Sequence, residues 1–137
     1  MKTKIVMIFG LWMMFSCQTQ QNLDEPKDES ENALSFEKND EDEYDIIVLD
    51  PQYESYLRSI AKPMNFYSEE YYKSKNQQYV SEWNYRHSQP FHYDPDFYTL
   101  RIDYDFNTDY GLKLEYKLFN FFQFINWKYK VNLGFGR

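Results

Sequence analysis

Residues 45 to 50, DIIVLD, set a short run of β-branched and apolar residues between aspartates, the pattern of a buried strand. Asp50 then precedes Pro51. A carboxylate that accepts from free amides, followed by a proline that has no amide to satisfy, is a helix start. Tyr53, Tyr56, Leu57 and Ile60 follow at i, i+3, i+4 and i+7, one apolar stripe that should end near Lys62 and Pro63. Tyr67-Ser68-Glu69-Glu70 reads as a second start, with Ser68 as cap, Tyr67 stapled onto Tyr72, and the glutamates at the positive end of the helix dipole. This helix should run to about His87. Its inner face would be Tyr72, Tyr79, Val80 and Trp83, while Lys73, Lys75, Gln78 and Glu82 largely face water.

SQPFHYDPDFY, with two prolines, is a loop by its chemistry. Beyond it Leu100, Ile102, Tyr104 and Phe106 alternate with Arg101, Asp103 and Asp105, which predicts a half-exposed strand. The last segment supports two periods. Leu112, Leu114, Tyr116 and Leu118 alternate as a second hairpin arm would, but Leu114, Leu118, Phe121, Phe122 and Ile125 are spaced for a helix, and Gly134 supplies a stop. The longer pattern predicts a helix from about 109 to 131. The expected fold is an α+β domain in the order strand, helix, helix, strand, helix, with a small sheet packed against aromatic-rich helices.

Composition divides the chain into three blocks. Residues 1–16 place Lys2 and Lys4 before an apolar run from Ile5 to Phe15, too short to span a bilayer but matched to an export signal. Residues 17–43 hold ten acidic residues against Lys27 and Lys38 and few apolar ones, so they are expected to be a disordered tether. Residues 44–137 form the domain. The net charge of −7 divides into +2, −8 and −1 over these blocks, so the folded part is nearly neutral. With no basic stripe to neutralise phosphates, a nucleic-acid partner is not expected.

Cys17 is the only cysteine, which excludes an internal disulfide. Its setting, MMFSC followed by a polar run, resembles a bacterial lipobox, in which the signal is cut before a cysteine that then carries acyl chains. Each buried methylene contributes roughly 0.8 kcal/mol, so two or three chains would anchor the protein without spanning the membrane. The expectation is an outer-membrane lipoprotein facing the periplasm, with the membrane as a partner through Cys17.

The strings IIVLDPQYESYL, AKPMNFYSEEYY, YVSEWN and IDYDFNTDYG resemble, in that order, a family of uncharacterised Bacteroidota lipoproteins that carry a domain of unknown function, the 6146 family. The likeness covers residues 44 to 133 and implies no catalytic residue. This sequence has Phe106 where the family is associated with proline.

Chemistry is sparsely signalled. RIDYDFNTDYG begins like a calcium loop, with Asp103, Asp105 and Asn107 at its first, third and fifth positions, but the sixth is Thr108 rather than glycine and the twelfth is Leu114 rather than glutamate. Strand alternation, with Thr108 or Asp109 capping a helix, explains the same residues without a metal. His87 and His92, with Asp94 behind them, lack a third ligand cluster. No cofactor is implied. Glu69, Glu70 or Glu82 with Asp94 or Asp96 could form a carboxylate pair, so a small lipid-anchored envelope hydrolase built on Glu82, His87 or Asp94 is the alternative reading. Aromatics suggest the favoured one: Trp83, Tyr85, Phe91, Tyr93, Phe97 and Tyr98 share one helix end and loop. Trp83, Tyr85 and Tyr93 are the candidate ligand-binding residues, for an envelope protein or a glycan.

Overall fold

The computed structural model describes residues 34–38 and 43–134. The expected signal peptide, Cys17 and most of the tether lie outside the described residues. Among the described residues two strands, β1 (Leu34–Lys38) and β2 (Tyr44–Val48), are followed by three helices, α1 (Pro51–Ser59), α2 (Glu69–His87) and α3 (Gly111–Tyr129). A 3₁₀ turn at Met64–Phe66 leads into α2. The class is α+β, with one two-stranded antiparallel sheet.

α3 is the centre of the fold because its apolar residues spread over more than one face. Leu114, Leu118, Phe121, Phe124 and Ile125 are fully buried, as a helix covered on several sides must be. α2, β2 and α1 all contact it. The helical reading of residues 112–118 therefore holds over the alternating one. Gly111, at φ +80°, turns the chain into α3 through a conformation that glycine adopts without strain. The helix stops at Tyr129, short of the expected 131, because Lys130 takes a left-handed conformation and returns its N–H to the Asn126 carbonyl.

α1 begins as expected. One Asp50 carboxylate oxygen accepts the Gln52 N–H at 2.9 Å. The other takes the Lys128 ammonium and, at 3.3 Å, the Tyr129 hydroxyl, so a single buried side chain ties the start of α1 to the end of α3. Burial alone would raise its pKa, but the bonds from Lys128 and the Gln52 N–H outweigh that and hold it below the ordinary value. Asp45 does the same for β2, pairing with Lys117 at 2.7 Å and Lys113 at 3.2 Å on α3. α2 starts at the Ser68 cap and ends at His87. Tyr67 packs edge-on to Tyr72 at 5.7 Å, the expected staple.

Two strand expectations change. β1 lies inside the segment read as tether. Phe36 stands opposite Ile46 and Leu34 opposite Val48, so both put apolar residues against the core. Residues 100–106 form no strand: the chain bends at Leu100 and turns at Phe106. The reason is a side chain. The Asn84 amide on α2 donates to the Ile102 carbonyl at 2.9 Å and accepts the Ile102 N–H at 2.8 Å, taking the place of a neighbouring strand. Ile102 is buried, as the alternation required.

Tyrosine is used here for its polar tip as much as its ring. Tyr53 and Tyr116, both buried, donate their hydroxyls to the carbonyls of Lys117 (2.6 Å) and Lys62 (2.8 Å), so a large ring enters the core without an unpaired oxygen.

Candidate functional site

The aromatic end of α2 divides between core and surface. Trp83 is 2% exposed and donates its indole N–H to the Leu100 carbonyl at 2.9 Å, so, contrary to the expectation of a binding residue, it is part of the core and has no face for a ligand. Tyr85, in contrast, is 55% exposed, and its ring stands edge-on to half-buried Tyr93 at 6.2 Å. Phe91, at the loop tip, is 98% exposed. Arg86 braces this end from within: it bonds Glu82 (2.7 Å), the Tyr98 hydroxyl (2.9 Å) and the Asn132 carbonyl (2.8 Å), with its guanidinium over the Tyr93 ring.

The groups considered for hydrolysis are committed elsewhere. Glu82 is paired with Arg86. His87 Nδ1 lies 2.6 Å from the Tyr98 carbonyl, which makes that nitrogen a donor. Asp94 accepts the Asp96 N–H at 3.0 Å, closing a turn around Pro95.

The calcium-like stretch is a turn. Asp105 accepts from the Asn107 N–H, the Asn107 amide and the Thr108 hydroxyl, and Asp109 accepts the Gly111 N–H. Neither Thr108 nor Asp109 is the N-cap of α3: Tyr110 holds that position without a side-chain bond. Among the described residues no three acidic, histidine or cysteine side chains gather as metal ligands. The Asp103 side chain is 98% exposed and pairs with Arg101 at 3.6 Å. Asp103→Ala should leave the melting temperature unchanged, whereas Asp105→Ala should lower it by releasing the turn. Thermal melts of both variants check this, and a larger loss at Asp103 would contradict it.

The sequence reading missed a different aromatic site. A cleft of about 270 Å³ lies between the segment after α1 and the facing sides of α2 and α3. Buried Tyr56, Tyr72 and Asn120 line it, together with half-buried Tyr67, Phe119 and Gln123 and exposed Ile60 and Lys62. Tyr67 stacks on Tyr71 at 4.2 Å and stands edge-on to Phe119 at 6.1 Å, and Phe66, 53% exposed, extends the rings outward. Phe119 was the available signal, because it falls outside the Leu114, Leu118, Phe121, Phe122 and Ile125 stripe that defines the core face of α3. A second depression, of about 360 Å³, lies beside β2 and the start of α3. Its polar groups are already used, Lys113 on Asp45 and Asp109 on the Gly111 N–H, and its Tyr44 and Tyr110 rings pack on each other at 4.9 Å.

A buried polar cluster was also missed. Glu115, fully buried, accepts the Asn76 amide at 2.7 Å and the Tyr104 hydroxyl at 3.0 Å. Asn76 gives its other bond to the Glu115 carbonyl at 2.9 Å, and its own carbonyl oxygen has no partner among the described residues. Burial raises the Glu115 pKa more than the bonds from Asn76 and Tyr104 lower it. Lys73 lies nearby, bonded to the Thr108 carbonyl at 3.0 Å.

A family model described as a family of unknown function (DUF6146) matches residues 5–135. No curated protein and no solved structure matches the chain.

Proposed function

We propose that this chain, which belongs to that family of unknown function (DUF6146), is a cell-envelope lipoprotein whose aromatic domain is a binding module. The leader supports the address. Lys2 and Lys4, the apolar run and Cys17 suit cleavage before the cysteine, acylation of the new N-terminus, and retention at the outer membrane with the domain towards the periplasm. The resemblance to Bacteroidota lipoproteins points the same way.

The observation that carries the binding reading is the cleft beside Tyr67 and Phe119, where aromatic rings and side-chain amides surround a concavity. The hydrolase reading is weaker because Glu82, His87 and Asp94 are each held in bonds to their own neighbours.

Fractionation of cells making the wild-type chain or Cys17→Ser tests the anchor. The wild type is expected to sediment with membranes and stay there through a high-salt wash, and the variant to be soluble. Equal distribution of the two would sink it.

A further inference from the structure

The cleft beside α3, we propose, is a subsite for one uncharged sugar ring of an envelope glycan, stacked on Tyr67, flanked by Phe119 and hydrogen-bonded to Asn120 and Gln123. This rests on the binding-module reading and names its ligand class. Size decides first: about 270 Å³ is slightly below the roughly 300–1,000 Å³ of sites for drug-sized molecules, so the cleft suits a single ring.

Chemistry decides second. A sugar ring offers a face of C–H groups and a rim of hydroxyls that both donate and accept. The C–H face matches the electron-rich face of an aromatic ring, while the rim needs neutral groups of both polarities. Asn120 gives one N–H to the Tyr116 carbonyl at 2.8 Å, and Gln123 gives one to the Tyr79 hydroxyl at 3.2 Å. Each amide retains a carbonyl that accepts no hydrogen bond from the described residues, and a second N–H. Among the described residues no carboxylate lines the cleft, and Lys62, the one charged side chain there, rests its ammonium over the Phe66 ring at 5.4 Å. Tyr71 covers one face of Tyr67, the two rings tilted by only 22° at 4.2 Å, which leaves the other face for the sugar. An extended peptide fits less well. It is read through a row of backbone donors and acceptors along an edge, and this cleft offers two amides among rings.

The test is calorimetric titration of the full chain in a zwitterionic detergent free of sugar headgroups, using chitotetraose and maltotetraose as probes. At least one is expected to bind saturably, with a Kd on the order of 10 µM to 1 mM. Tyr67→Ala and Gln123→Leu should each weaken that binding by about tenfold or more. Tyr67→Phe, which keeps the ring, and Phe91→Ala, on the separate loop tip, should retain it, and circular dichroism melts report whether each variant is folded. No binding of either sugar, binding that survives both Tyr67→Ala and Gln123→Leu in folded variants, or capture of a proline-rich peptide at the cleft instead would overturn the subsite. The anchor is read separately by fractionation of Cys17→Ser, so a membrane-bound chain that takes no sugar defeats the subsite alone.

Discussion

Trp83→Ala is expected to destabilise the domain by about 3–5 kcal/mol, the usual cost of deleting a large buried aromatic side chain. The indole touches Tyr98 at 4.9 Å, Phe121 at 5.8 Å and Phe97 at 5.9 Å, so truncation opens a cavity on the side of α3 that faces α2. It also strips the Leu100 carbonyl of its donor. A domain of ordinary stability has about 5–15 kcal/mol to lose, so the variant should be largely unfolded at modest urea. Tyr85→Ala, two residues on but more than half exposed, should stay within about 0.5 kcal/mol of wild type. Urea titrations of the two variants separate core from surface in one experiment. A Trp83→Ala protein with wild-type stability would contradict the packing described.

The second large effect belongs to the Asn76 and Glu115 pair. Asn76→Leu removes the amide that faces the buried carboxylate, leaving Glu115 with the Tyr104 hydroxyl alone, and should cost about 3 kcal/mol. Glu115→Gln should act in the opposite direction and depend on pH. Because burial holds the Glu115 pKa above the ordinary 4.5, its contribution to stability is fully present below that value and is lost as the pH rises through the raised one. A glutamine keeps an acceptor for Asn76 and can donate to Tyr104, so the variant should be the more stable protein at pH 8 and lose its advantage towards pH 4. Asp45 and Asp50 have the reverse sign. Their lowered pKa values add stability above 3.8 that disappears as the pH falls through the lowered values. Melting temperatures measured across this range in both proteins check the sign, and parallel curves would refute it.

Helices were legible in the sequence where local signals and tertiary demand agree. Asp50-Pro51 and Ser68-Glu69 start α1 and α2 because capping is local chemistry. In α3 the alternation of residues 112–118 competed with the longer helical stripe, and the stripe prevailed because it continues through Phe121, Phe122 and Ile125 into the core. β1 was not legible: LSFEK carries two apolar residues among polar ones, and what makes it a strand is its register with β2 and the packing of Leu34 and Phe36 on the core. The segment at 100–106 had the right facing at Ile102 but not at Leu100 and Phe106, which are exposed, and nothing local says that Asn84 will bond both polar groups of Ile102. The cleft was hidden for the same reason. Tyr67 and Phe119 come from distant segments, and Asn120 and Gln123 read as ordinary polar positions on a helix until α3 is docked on α2. The loop-end aromatics, close in sequence, drew attention because proximity along the chain is the one proximity a sequence displays.

Hydroxyl-radical footprinting, comparing the purified full chain with the chain in intact cells, tests most directly whether the cleft is the binding face. Oxidation of Tyr67 and Phe119 is expected to fall sharply in cells, where the envelope ligand is present, while Phe91, 98% exposed, should be oxidised equally in both. Unchanged labelling at Tyr67 and Phe119, with protection at Tyr85, Phe91 and Tyr93 instead, would move the binding face to the end of α2 and contradict this account.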